Sequence, residues 1–239
     1  MKLTLSLVAA AALAAAMPAQ AVNVANQTPQ GEYTSNVLGG TTWTTFTAMF
    51  DAVHTRSALP DFTSLAGYDA VWVDQELGNA LSDAEVASLA GFIGSGHKAV
   101  LIGENYLWEA WNASLMAVVG GSRTDDCSWN VGAPMTGGLL TSGIASVQNA
   151  CGSLLNSGGG AQILFDNSMA AVYKIGSGEA LVILDSNWND DNYIDGYDNY
   201  RFGENVINWL AVPVPEPGTY ALMLAGLFAV SSVARRRAS

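Results

Sequence analysis

Between residues 68 and 103 the apolar positions change their period twice. Ala70-Val71-Trp72-Val73 is a continuous apolar run of the buried-strand kind, closed by Asp74. Ser82 and Glu85 then stand three apart as a capping-box signature, and Val86, Leu89, Phe92 and Ile93 recur at helical spacing until Gly94 and Gly96 stop the pattern. A second apolar run, Ala99-Val100-Leu101-Ile102, ends at Gly103. Strand, crossover helix and strand within about 35 residues predict a right-handed βαβ unit with parallel strands.

Similar units flank it. Asn36-Val37-Leu38 before Gly39-Gly40 reads as a first strand, followed by a helix carrying Phe46, Met49, Phe50 and Val53. Residues 106–119 read as helical. Residues 121–160, rich in Gly, Ser, Thr and Asn, read mostly as loops. Gln162-Ile163-Leu164-Phe165 and Ala171-Val172-Tyr173-Lys174 suggest a hairpin-like pair near a sheet edge, and Ala180-Leu181-Val182-Ile183-Leu184 a buried strand ending at Asp185. A last helix carries Phe202, Val206, Ile207, Trp209 and Leu210. Apolar strands alternating with amphipathic helices predict one α/β domain, three-layered and flavodoxin-like, on a mostly parallel sheet over residues 22–213.

The two ends follow a different logic. Lys2, a largely apolar run from Leu3 to Met17 and Ala19-Gln20-Ala21 read as an N-terminal signal helix over residues 1–21, with an A-x-A cleavage site. Residues 214–239 hold Pro215-Glu216-Pro217, an uncharged stretch from Gly218 to Ala234 that predicts a short transmembrane helix, and Arg235-Arg236-Arg237. At about 1.5 Å per residue that stretch barely spans a hydrocarbon core of roughly 30 Å. The arginines stay cytoplasmic by the positive-inside rule. A permanent anchor is the plainer alternative.

The Pro-Glu-Pro triplet, short apolar segment and terminal Arg cluster resemble the PEP-CTERM sorting tail of Gram-negative, exopolysaccharide-producing bacteria. The resemblance implies cleavage near Pro215-Glu216-Pro217 by an exosortase-type membrane transpeptidase. It also implies passage from the inner membrane to the cell surface, outer envelope or extracellular matrix, a biofilm setting. Extracellular polysaccharide is then an expected partner.

Charge narrows the partners further. The full chain of 239 residues carries 9 Lys plus Arg against 21 Asp plus Glu. Without both ends, five basic and twenty acidic residues leave the domain near −15. Such a domain repels nucleic acid, whose binding needs phosphates neutralised by Lys and Arg, and attracts cations.

The middle resembles, as a pattern over perhaps 150 residues, the class I glutamine-amidotransferase-like fold, including ThuA-like domains. The resembling stretches are Tyr68–Val73, Gly96–Gly103, and Asp185-Ser186-Asn187 through Asn199-Tyr200-Arg201-Phe202 to Asn208-Trp209-Leu210. The family places a nucleophilic Cys on the turn after the strand corresponding to residues 99–102. Here that turn reads Gly103-Glu104-Asn105, and no His follows His97. Amidotransferase chemistry is excluded on those two residues.

Ligands of open parallel sheets sit beyond the C-terminal strand ends. Gly39-Gly40, Asp74-Gln75-Glu76, Gly103-Glu104-Asn105 and Asp185-Ser186-Asn187 belong there, three of the four with carboxylates. Asp74 and Glu104 are the candidate acid and base of a carbohydrate hydrolase or lyase. The alternative is that they are ordinary loop and cap residues beside a non-catalytic glycan- or cation-binding face. Asp185, Asn187, Asn189 and Asp191 offer hard oxygen ligands for Ca²⁺. However, Asp190 and Gly196 stand where an EF-hand needs Gly and Glu, and a solvated loop with Asp198 or Asn199 capping the last helix is the plainer reading. Cys127 and Cys151 are most simply a disulfide in an oxidising compartment. Trp108, Trp111, Trp129 and Trp188, where exposed, could stack on sugar rings; where buried they are core.

Overall fold

The computed structural model describes residues 22–27, 55–74, 79–189 and 193–212. Both chain ends, the strand expected at residues 36–38, the helix expected around residues 46–53 and Asp191 lie outside the described residues. Among those described, no helix is long and apolar enough to cross a membrane.

The parallel part of the sheet contains β1 (Asn23–Gln27), β2 (Thr55–Leu59), β3 (Ala70–Val73), β4 (Lys98–Gly103) and β9 (Gly178–Leu184). Two antiparallel strands, β7 (Gln162–Ile163) and β8 (Ala170–Ile175), complete one edge. The order is β2-β1-β3-β4-β9-β8-β7. Parallel strands need long crossovers, and helix α1 (Asp83–Gly94) provides the one between β3 and β4.

Period-two alternation divides the sheet's side chains between two cores. Ala25, Val71, Val73, Leu101, Val182 and Leu184 face α1 and α2 (Glu109–Val119), meeting Leu89, Ile93, Trp111 and Leu115. Val24, Trp72, Val100, Ile102, Leu181 and Ile183 face α3 (Asn199–Ala211) through Phe202, Val206 and Ile207. Helices on both faces make three layers, as the strand pattern predicts. The capping box is complete: the Ser82 side chain accepts from the Glu85 amide, and Glu85 Oε2 accepts from Ser82 N at 2.9 Å. Glu85 also reaches back to the chain before β3, its Oε1 accepting from Phe62 N.

One expectation fails. Nearly half of residues 121–160, expected as loops, lie in two long antiparallel strands, β5 (Arg123–Gly132) and β6 (Val147–Leu155). These form a two-stranded ribbon apart from the main sheet, joined by the Cys127–Cys151 disulfide. Register shifts between Thr124 and Asn130 break the two-residue alternation, so no periodic signal marks β5. Strand β1 also escapes the pattern. It starts just past the expected cleavage site and carries Asn23, Asn26 and Gln27.

The ribbon lies across the C-terminal end of β9. A side chain on Gly152 would collide with the Leu184 carbonyl and come within 2.9 Å of Asp185 Cβ. Gly152→Ala therefore has to move β6 off β9. Urea unfolding should show a loss of about 2 kcal/mol or more, in the range of overpacked cores; an unchanged midpoint would contradict the contact.

Candidate functional site

Each strand-end residue is placed by the element before it. Strand β4 delivers Glu104 and β9 delivers Asp185, neighbours in the sheet because Gly103 pairs with Leu184. Strand β3, on the other side of β4, delivers Asp74. All three carboxylates are buried: Asp74 is 6% exposed, Glu104 3% and Asp185 0%.

Protein donors surround Glu104 and Asp185. Glu104 Oε1 accepts from Ser186 Oγ at 2.6 Å, and Oε2 accepts from Asn105 N at 2.7 Å and Asn105 Nδ2 at 2.5 Å. Its backbone is held by Asn112 of α2, whose Nδ2 donates to the Glu104 carbonyl at 2.8 Å while Oδ1 accepts from Glu104 N at 2.8 Å. Gly103 must be glycine for this approach, since a Cβ there would stand 2.6 Å from Asn112 Oδ1. Trp111 Nε1 donates to the Ile102 carbonyl at 3.0 Å, fixing the same turn of α2 on β4.

Asp185 serves the ribbon. Its Oδ2 accepts from the amides of Ala150 and, at 3.4 Å, Cys151, while Oδ1 accepts from Asn187 N at 2.9 Å. Farther along, Asn199 Oδ1 accepts from Gln148 N at 2.8 Å, and its Nδ2 donates to the carbonyls of Gln148, Trp188 and Tyr193. Asp198 sits at the N-cap of α3 without a side-chain cap bond, contrary to the capping expectation. Its Oδ2 is committed to Ala145 N at 2.7 Å and Ser146 N at 3.1 Å.

Burial decides the protonation of the pair. It pushes Asp185 up to about 7 from its usual 3.8, the charge on Glu104 pushes the same way, and the amides of Ala150, Asn187 and Cys151 pull back. Burial raises Glu104 too, opposed by Ser186 and Asn105. Two coupled carboxyl groups therefore share fewer than two charges near neutrality. Glu104 does not sit in the strained turn of a nucleophile elbow. Among the described residues, only Ser168 and Tyr197 combine a side chain with positive φ.

The other candidates are dispersed. Asn189 is fully buried and Asn187 half-buried beside Asp185, whose oxygens face backbone amides. Among the described residues, no group of three or more His, Cys, Asp or Glu could hold a metal ion. Trp111 and Trp188 are core, Trp108 is half-buried, and Trp129 on β5 is 57% exposed. Asn112 was invisible as a site residue in the sequence; its only mark is a lone amide beside Trp111 on an apolar helix.

The sequence comparison bears on the C-terminal end. Residues 213–238 match the PEP-CTERM protein-sorting motif. The chain carries a sorting motif that implies export and exosortase processing. That match spans Pro215-Glu216-Pro217 and the three arginines, starts one residue before the expected boundary, and implies transient membrane anchoring before processing. No curated protein matches the sequence.

Solved structures bear on the fold. The chain is similar to the mmIFT52 N-terminal domain, with TM-score 0.62 and 14% identity over 81% of this chain and 99% of that one. It is similar to a ThuA-like protein from Bacteroides uniformis, with TM-score 0.52 and 13% identity over 81% and 91% of the two chains. A GMP synthase protein from Thermoplasma acidophilum gives 0.52 and 10% over 80% and 95%. Likeness at these identities establishes the amidotransferase-like fold and no chemistry.

The raised Asp185 fixes a pH dependence. Between about 4 and 7 the folded state holds a proton that the unfolded chain has released. This contribution is full below the unfolded value and lost as pH rises through about 7. Denaturant midpoints of the oxidised, tail-less domain should fall across that window, and Asp185→Asn should flatten the slope. A midpoint rising from pH 4 to 7 would contradict the assignment.

Proposed function

We propose that this exosortase-processed protein is a surface or extracellular-matrix component whose α/β domain is non-catalytic and binds polysaccharide through the disulfide-linked ribbon. The observation that carries the reading is the commitment of the strand-end carboxylates to protein donors: Glu104 to Ser186 and Asn105, Asp185 to three backbone amides. A general acid or base needs an oxygen within reach of substrate. The ribbon exposes Trp129 and Val131 of β5, at 57% and 36%, alongside the polar Thr124 and Asp125. An exposed indole stacks on a sugar ring at little entropic cost. With a domain near −15, a neutral glycan fits better than an acidic one.

Ca²⁺ at Asp185, Asn187, Asn189 and Asp191 would have to displace the backbone amides on Asp185, which makes it the weaker part of the binding reading. The enzymatic alternative, a carbohydrate hydrolase or lyase using Asp74 and Glu104, draws on one observation: the proton affinity of Glu104 is raised by burial, as a general acid requires.

Affinity electrophoresis in gels containing a neutral β-glucan or alginate tests this. Retardation should appear with the β-glucan and weaken about tenfold in Trp129→Ala, a change of about 1.4 kcal/mol, with unchanged thermal stability. Release of reducing ends that Glu104→Gln abolishes would overturn the non-catalytic reading and support the alternative.

A further inference from the structure

The opposite end of the sheet holds the unusual buried cation. Lys98, the first residue of β4, is a buried cation, only 6% exposed. Its Nζ donates to the carbonyls of Trp209 and Val212, both at 2.5 Å, and lies 4.6 Å from the centre of the Trp209 ring. These carbonyls end α3, where the helix dipole is negative, so a cation there replaces missing helical donors. The arrangement is expensive, since burial lowers Lys98 to about 8 against the raising effect of Glu179. A surface arginine or a C′ glycine would close a helix at less cost. The sorting motif starts at residue 213, directly after the clamped Val212.

Geometry then limits how the anchored precursor can stand. Five residues separate Val212 from Gly218, where the uncharged stretch begins, and the six Cα-to-Cα steps between them reach at most about 20 Å. The clamped end of α3 lies at the N-terminal ends of the parallel strands. Glu104 and Asp185 lie at the other ends, a further ~17 Å along β4. Among the described residues at the near end, Glu179 faces Lys98 and Lys174 across the strands and Asp69 directly precedes β3, two charges of each sign in an otherwise acidic domain. A balanced end can approach anionic lipid, whereas the acidic body is repelled.

We propose that before processing the domain stands on the membrane surface on the N-terminal ends of its parallel strands, with Lys98 bracing the end of α3, so that the ribbon and its exposed tryptophan point outward. The partner of this face is a lipid headgroup surface. Lys98 is a positioning residue for the sorting step and touches no reacting atom.

The test uses the full chain in vesicles of phosphatidylethanolamine and phosphatidylglycerol that contain a headgroup-nitroxide lipid, with a fluorescent unnatural residue at Ser177 or Leu107. Ser177 is exposed in the β8–β9 turn at the near end, and Leu107 is 73% exposed at the far one. Quenching should be several-fold stronger at position 177. Equal quenching, or stronger quenching at 107, overturns the orientation. Lys98→Met should bring the ratio towards one and speed amide exchange at Val212, while Lys98→Arg restores part of both; a Lys98→Met ratio unchanged from wild type overturns the bracing. If Lys98→Met fails to fold, a Gly-Ser insert of about a dozen residues after Val212 decides, since a flexible spacer lets the domain reorient with Lys98 intact. An unchanged ratio in that insert overturns the tether argument.

Discussion

The anchoring of the ribbon by the Asp185 carboxylate is the constraint on which the rest depends. A carboxylate at the end of a buried parallel strand is costly unless donors meet it. Here two donors come from the ribbon and one from the turn that follows Asp185. Asp198 and Asn199 repeat the device along the preceding loop and β6, at Ala145, Ser146 and Gln148. The cross-strand disulfide holds the two strands of the ribbon together at the same level. A segment with few apolar contacts of its own is thus held over the strand ends by polar bonds, each worth roughly 1–3 kcal/mol where a charge is involved.

Ligands of open parallel sheets commonly sit beyond these strand ends. Here Glu104, on the turn after β4, directs its carboxylate inward to Ser186 and Asn105. The pair Glu104–Asp185 then couples β4 to β9 and, through Asp185, to the ribbon. The side-chain oxygens of Glu104 and Asp185 are thus engaged by donors of the protein itself.

Legibility in the sequence followed periodicity. Strands β3, β4 and β9 are continuous apolar runs because helices cover both their faces, and α1 carries its capping box; each was readable residue by residue. Strand β5 was not, because Asp125, Asp126, Ser128 and Asn130 belong to a two-sided, bulged ribbon whose stability comes from Asp185 and a disulfide. The carboxylates could be located from strand ends, but the burial of Asp185 could not, since the ribbon that meets it carries no hydrophobic signature. Asn112 shows the same limit: one amide in a helix says nothing of the turn it will hold. The sorting motif was legible because its meaning lies in residue order.

The central claim, that the ribbon is a closed and permanent cover over the strand ends, is tested most directly by native-state hydrogen exchange at the Ala150 and Cys151 amides. If Asp185 holds them as described, both exchange only through global unfolding, with the same free energy as the core amides of β9. Exchange through a low-energy local opening, well below the global value with the disulfide intact, would contradict it and return Glu104 and Asp185 to solvent and substrate.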